Sequence, residues 1–175
     1  MKLPKKYEWL ALESAPRHFL KAIELFGTTE IVGPKHNPVI LEWATETNLR
    51  HYTNDEIPWC GLYMAIVMKR ANREVVKDPL FARNWAKFGV EVKEPMFSDV
   101  LVFSRGSGGH VGFYIGEDKT SYHVLGGNQG DAVSIVRIAK DRLISSRRPP
   151  YQIKPLNIRK IKLDSTGSIL SINES

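Results

Sequence analysis

The sequence has almost no cysteine: one residue, Cys60, in a chain of 175. That excludes an intramolecular disulfide framework and any zinc site built from several thiolates. It also lacks a long hydrophobic run, since no window approaches the roughly 18 apolar residues needed to cross a bilayer. The start, Met1-Lys2-Leu3-Pro4-Lys5-Lys6-Tyr7-Glu8-Trp9, places an acid where a signal peptide needs apolar residues, so synthesis in the cytoplasm is expected. There is no His-Glu-x-x-His, and the five histidines (His18, His36, His51, His110, His123) show no metal-ligand spacing. No metal or cofactor is therefore expected. Repeats and low-complexity segments are absent as well.

What is present is an ordinary globular composition, 42% hydrophobic and 25% charged, which excludes disordered and fibrous classes. The net charge of +6 is unevenly placed. Nine basic residues lie between Arg137 and Leu163 (Arg137, Lys140, Arg142, Arg147, Arg148, Lys154, Arg159, Lys160, Lys162) against one acid, Asp141. The C-terminal part is the basic element, and the rest of the chain is near neutral.

Pro16 opens a periodic run through Phe19, Leu20, Ile23 and Phe26 that Gly27 stops, predicting a helix. Asn37-Pro38 is a second helix start, with Ile40, Leu41, Trp43 and Ala44 inward. From Cys60 to Ala71 the chain is apolar on almost every face, the pattern of a buried helix. Residues 81–88 predict a short helix ended by Gly89. After Pro95 the period becomes that of strands: Val100 to Phe103, His110 to Ile115, Ser121 to Leu125 and Ala132 to Ile138, separated by glycine-rich or polar turns. Helices followed by consecutive antiparallel strands predict an α+β fold. The division expected is a domain over 1–150 and a basic extension over 151–175 that forms a β-hairpin.

Three residues can carry nucleophilic chemistry. Cys60 opens its helix, where unpaired N–H groups and the helix dipole favour a thiolate. Gly61 beside it removes side-chain bulk and leaves room for a substrate carbonyl. His110 begins a strand straight after Gly106-Ser107-Gly108-Gly109, which places its ring at the rim of the sheet. A thiol hydrolase needs a neutral imidazole there to take the thiol proton and return it to the leaving amine. A third group must hold the other ring nitrogen. Asn128 is the candidate, and His123 is its rival on the neighbouring strand.

Taken in order, Pro58-Trp59-Cys60-Gly61, Ser98-Asp99-Val100-Leu101-Val102-Phe103, Gly109-His110-Val111-Gly112-Phe113-Tyr114-Ile115-Gly116 and Leu125-Gly126-Gly127-Asn128-Gln129 resemble the NlpC and CHAP branches of papain-like cell-wall cysteine hydrolases. The likeness is greatest to a short phage and prophage subgroup that carries Gly-Pro-x-x-Asn-Pro (Gly33, Pro34, Asn37, Pro38) and Gly-Gly-Asn-Gln. It implies a papain-like fold and a peptidoglycan hydrolase: Cys60 as nucleophile, His110 as base, Asn128 as orienter. Two positions depart from the pattern. Ser98 replaces a usual glycine, and Gly126 stands where CHAP members often have a carboxylate. NlpC members instead use a polar residue about a dozen positions after the histidine, which keeps His123 in contention. Trp59, Asn84, Trp85 and Ser107 are expected to line the cleft, and the backbone N–H of Cys60 to serve the oxyanion.

The resemblance implies a phage lysis enzyme, expected as a monomer that reaches peptidoglycan in the periplasm through a holin. The basic extension is expected to hold it to the anionic envelope. A toxin-like wall amidase is the alternative enzyme. A non-catalytic module binding wall fragments or nucleic acid is the alternative from another class, although the tail lacks the aromatic interleaving of a base-stacking surface.

Overall fold

The computed structural model describes residues 2–171. Three α-helices precede a six-stranded, wholly antiparallel sheet: α1 (Arg17–Glu24), α2 (Pro38–Glu46) and α3 (Cys60–Arg70), then β1 (Val90–Glu91), β2 (Val100–Arg105), β3 (Gly108–Glu117), β4 (Ser121–Gly126), β5 (Ser134–Ala139) and β6 (Leu143–Arg148). The strand order is β1-β6-β2-β3-β4-β5. The α+β class therefore holds, with each main helix and strand of the sequence pattern in place. The 81–88 segment is a tighter 3-10 helix, Ala82–Lys87.

Local chemistry explains the element boundaries. Asn37 caps α2 by accepting the Val39 N–H at 2.8 Å, and Pro38 follows at the first helical position. The loop before it is gathered by Asp55, a fully buried carboxylate that accepts the N–H groups of Ile31 and Asn37. Nine residues of α3, Cys60 to Met68, are buried, as the apolar pattern requires. They pack with Phe19, Trp43, Val102, Val111, Phe113 and Leu125 into the main core. Leu101, Phe103, Tyr114, Tyr122, Val124, Val136 and Ile138 form a second cluster.

Two strands are not visible in the apolar pattern. β6, Leu-Ile-Ser-Ser-Arg-Arg, pairs with β2 on one side and β1 on the other. Its arginines find distant acceptors: Arg147 donates to the Phe88 carbonyl, and Arg148 grips Asp99 through two nitrogens at 2.8 and 2.7 Å.

Among the described residues of the C-terminal extension, no hairpin forms. Lys162 and Leu170 each bridge to the sheet, at Glu117 and Arg137, instead of to one another. Glu117 N–H donates to Ile161, Leu163 N–H to Glu117, and Arg137 N–H to Ile169. Ile158 is 2% exposed. The basic residues are largely answered by acids: Arg137 by Asp118, Arg147 by Glu91, Arg148 by Asp99, Arg159 by Glu13, and Lys140, Lys160 and Lys162 all by Glu117.

No helix among the described residues is long and apolar enough to cross a membrane.

Candidate active site

Cys60 is the first residue of α3, and His110 lies near the start of β3. The two elements meet at the rim of the sheet. The backbone N–H groups of Val111, the residue after His110, and of Gly61 and Cys60 lie close enough to the Cys60 sulfur to favour its thiolate. Burial pushes the thiol up from its ordinary pKa, while the charge of Arg105 and these N–H groups pull it down. The net displacement is upward. Cys60 is 2% exposed and His110 is fully buried.

The group that holds His110 is Gln129. Its Oε1 stands 3.0 Å from His110 Nε2. Its amide nitrogen donates to the carbonyls of Val124 at 3.3 Å and Ser134 at 2.6 Å, so both N–H groups are directed at acceptors. The atom left facing the ring is the carbonyl oxygen, which can only accept. His110 Nε2 must therefore carry the hydrogen, and in the neutral ring Nδ1 is the basic nitrogen. Gln129 is itself clamped at its backbone, with N–H to Ala132 and carbonyl to the Ser134 hydroxyl at 2.8 Å.

Asn128 does not take this place. It sits in the left-handed region at φ 55°, with Oδ1 buried and without a hydrogen-bond partner. An asparagine tolerates that conformation better than most residues. It forms the bend beyond β4 after which Gln129 reaches back to His110. His123 does not take it either. Its Nε2 is 3.0 Å from Asp118, which Arg137 also grips, and its Nδ1 is 2.6 Å from the Tyr7 hydroxyl. That buried network ties the N-terminal turn to β4.

The glycine pair ahead of Asn128 was the signal that could have pointed to Gln129. A β-carbon at Gly126 would stand 2.7 Å from Gln129 Oε1 and 3.1 Å from His110 Nε2. One at Gly127 would stand 2.6 Å from Tyr63 Cβ and 2.8 Å from Trp59 Cζ3. At each position the nearest of these separations is closer than non-bonded atoms tolerate. A side chain at Gly126 would fall in the space that the amide of Gln129 fills.

Gly61 also has a different task from the one expected. A β-carbon there would meet the Pro79 carbonyl oxygen at 2.2 Å, so this glycine admits the backbone of residues 79–80 and not a substrate. Trp59 and Trp85 are fully buried core residues, with indole N–H groups on Glu30 and the Pro79 carbonyl. Asn84 donates to the Asp78 carbonyl and lines a separate cavity of about 610 Å³ with Arg73, Lys77, Phe88 and Pro150. Ser107 is exposed in the turn between β2 and β3. A groove of about 700 Å³, lined by Phe26, Ser134, Ile169 and Leu170, reaches Gln129.

The chain matches no protein-family model and no curated protein.

What this arrangement can do chemically follows from its parts. A cysteine at a helix N-terminus has N–H groups around its sulfur, and a histidine of defined tautomer stands at the same rim. A thiol, an imidazole and an amide that fixes its tautomer are the residue types that nucleophilic acyl transfer requires.

Proposed function

We propose that the protein is a cysteine hydrolase that cleaves a peptide or amide bond of bacterial peptidoglycan, with a papain-like arrangement of helix and sheet. The observation that carries the reading is the Gln129–His110 bond, because it leaves Nδ1 as the basic nitrogen of a ring placed beside the Cys60 helix start. The choice of peptidoglycan rests on the ordered motifs around Cys60, His110 and Gly126-Gly127-Asn128-Gln129.

In the proposed reaction His110 Nδ1 takes the Cys60 proton and the thiolate attacks the carbonyl carbon. The oxyanion that forms is met by the backbone N–H of Cys60. The imidazolium then protonates the leaving amine as the C–N bond breaks, giving a thioester. Water, deprotonated by His110, releases the acid and restores the thiol. Gln129 accepts from Nε2–H throughout and holds the ring in plane for both transfers.

We assign the biological setting by the same resemblance, as phage-type lysis with access to the wall through a holin. The basic segment would contribute to retention through the charge not matched by acids, chiefly the three lysines that share Glu117.

Digestion of purified sacculi, followed by mass spectrometry of the released fragments, tests the reading and identifies the bond. Loss of all product in Cys60→Ala is expected. The deep burial of Cys60 and His110 favours one second reading, a fold that holds wall fragments without turnover. Unchanged lysis of permeabilised Gram-negative cells by Cys60→Ala would exclude the thiol mechanism, whereas sacculus binding with no product from the wild type would establish the silent module.

A further inference from the structure

Two arginines stand at the rim that carries His110, and neither has a carboxylate partner among the described residues. Arg105 ends β2 as the cross-strand partner of Gly108. Arg83, from the 3-10 helix Ala82–Lys87, donates Nε to the Gly108 carbonyl at 2.8 Å. The Arg105 backbone and the Arg83 guanidinium thus both meet Gly108, two positions before His110. The packing there is close: a β-carbon at Gly109 would stand 2.9 Å from Arg83 Cγ and 3.2 Å from the Phe103 carbonyl oxygen.

Arg105 Nη1 is buried and has no hydrogen-bond partner. Elsewhere in the chain buried guanidinium groups are answered, as Arg148 is by Asp99 and Arg137 by Asp118. A charged donor withdrawn from water without an acceptor is costly. An unanswered one at the rim of a catalytic site suits an acceptor that arrives with a ligand. The charge of Arg105 also acts on the Cys60 sulfur, so the fork lies within electrostatic range of the bond to be cut. Guanidinium is planar and matches a carboxylate with two parallel N–H groups, which an ammonium cannot do.

We propose that Arg105, assisted by Arg83, binds a free carboxylate of the substrate beside the scissile amide and so selects acidic peptides. The identity of the scissile amide rests on the hydrolase reading above; the carboxylate site itself requires no turnover.

One soluble stem peptide, L-alanyl-γ-D-glutamyl-diaminopimelate, made with the glutamyl α-carboxyl either free or as the carboxamide, separates the two. Calorimetry with Cys60→Ala protein reads binding, and kcat/KM with the wild-type thiol reads turnover. The free acid is expected to bind roughly 10–100-fold more tightly than the carboxamide. Arg105→Ala should erase that preference, Arg105→Lys should restore part of it, and Arg83→Ala should reduce it by a smaller factor. Affinity for the carboxamide should stay within about twofold across the variants, which a misfolded protein would not show. Equal affinity for the two forms, no binding of either, or a preference that survives in both alanine variants overturns the proposal. Selective binding of the acid with no hydrolysis by the wild type would sustain the carboxylate site and overturn the hydrolase reading instead.

Discussion

His110 Nε2 lies 3.0 Å from Gln129 Oε1, and the same glutamine spends its amide hydrogens on Val124 and Ser134. The ring is therefore held in one tautomer by a residue whose own orientation is over-determined. Gln129→Ala should lower kcat by about 10²–10⁴, the range seen when an imidazole loses its orienting partner. Asn128→Gly should leave kcat nearly unchanged, because glycine accepts the left-handed conformation at φ 55° at least as readily. A turbidity assay on sacculi, or turnover of a soluble muropeptide, ranks the two variants. A larger loss in Asn128→Gly than in Gln129→Ala would return the role to Asn128.

His123 is predicted to matter for stability and not for turnover. Its removal leaves the Tyr7 hydroxyl and Asp118 short of a buried partner. Asp118 retains Arg137 and the N–H groups of Thr120 and Ser121, so the damage is partial. His123→Ala should lose about 2–4 kcal/mol in urea unfolding, a lost buried hydrogen-bond network plus a cavity. Its kcat per folded molecule should match the wild type. A tenfold fall in kcat with unchanged stability would instead place His123 in the reaction.

The thiol supplies a pH signature. Burial raises the Cys60 pKa and Arg105 opposes that rise. Iodoacetamide alkylation should accordingly have its midpoint above that of an exposed thiol, and activity should be abolished once it is complete. Arg105→Ala removes the lowering influence, so the midpoint moves further up and alkylation at neutral pH slows. EDTA should leave activity unchanged, since the proposed residues form no ligand set. A midpoint that moves down in Arg105→Ala would contradict the electrostatic assignment.

Much of the fold was legible because burial and period agree. The all-round apolar run from Cys60, the Asn37-Pro38 cap and the valine-rich strands each specify their element locally. β6 was not legible, because Leu143 to Arg148 has no apolar alternation and its arginines are satisfied by Phe88 and Asp99, some fifty to sixty residues away. In the candidate site, the amide that faces His110 is Gln129, one residue beyond the expected Asn128. Cys60 and His110 announce themselves by residue type and by the turns around them. Which of the adjacent amides Asn128 and Gln129 faces the ring depends on a left-handed backbone angle and on carbonyls of β4 and β5, which are tertiary facts. The task of Gly61 was hidden for the same reason, since its neighbour is backbone at residues 79–80.

His18 makes the fold acid-sensitive. It is buried on α1 between the Phe113 ring and the Ser98 carbonyl, to which Nε2 donates at 3.1 Å. Burial, only partly offset by that hydrogen bond, lowers its pKa to about 4. The unfolded chain takes up a proton near pH 6.5 that the folded chain refuses, so the contribution is full above pH 6.5 and is lost as pH falls toward 4. The loss across that window is up to about 3 kcal/mol. Urea midpoints measured from pH 4 to 7 should fall more steeply for the wild type than for His18→Gln. Parallel slopes would show that His18 is not the group responsible.

The C-terminal segment should prove part of the domain. Ile158 is 2% exposed, Ile161 and Leu163 pack on the main core, and a β-carbon at Gly116 would stand 2.7 Å from Leu163 Cδ1. Backbone bonds from Phe97, Glu117 and Arg137 all run to this segment. Removing everything after Pro150 would also strip Glu13 of Arg159, and Glu117 of Lys160 and Lys162. Each buried aliphatic side chain contributes about 1.5–3 kcal/mol. The truncated protein should therefore lose several kcal/mol and become insoluble or melt far below the full chain, taking small-substrate turnover with it. Ile158→Ala isolates the packing effect without touching charge, and should cost about 2–4 kcal/mol. Lys160→Gln with Lys162→Gln isolates the charge. Glu117 then keeps Lys140, so stability should change by less than about 1 kcal/mol. If sacculus binding in low salt is also unchanged in that double variant, these lysines serve the fold and not the envelope. A truncated chain as stable and active as the full one would mean that the segment merely rests on the sheet.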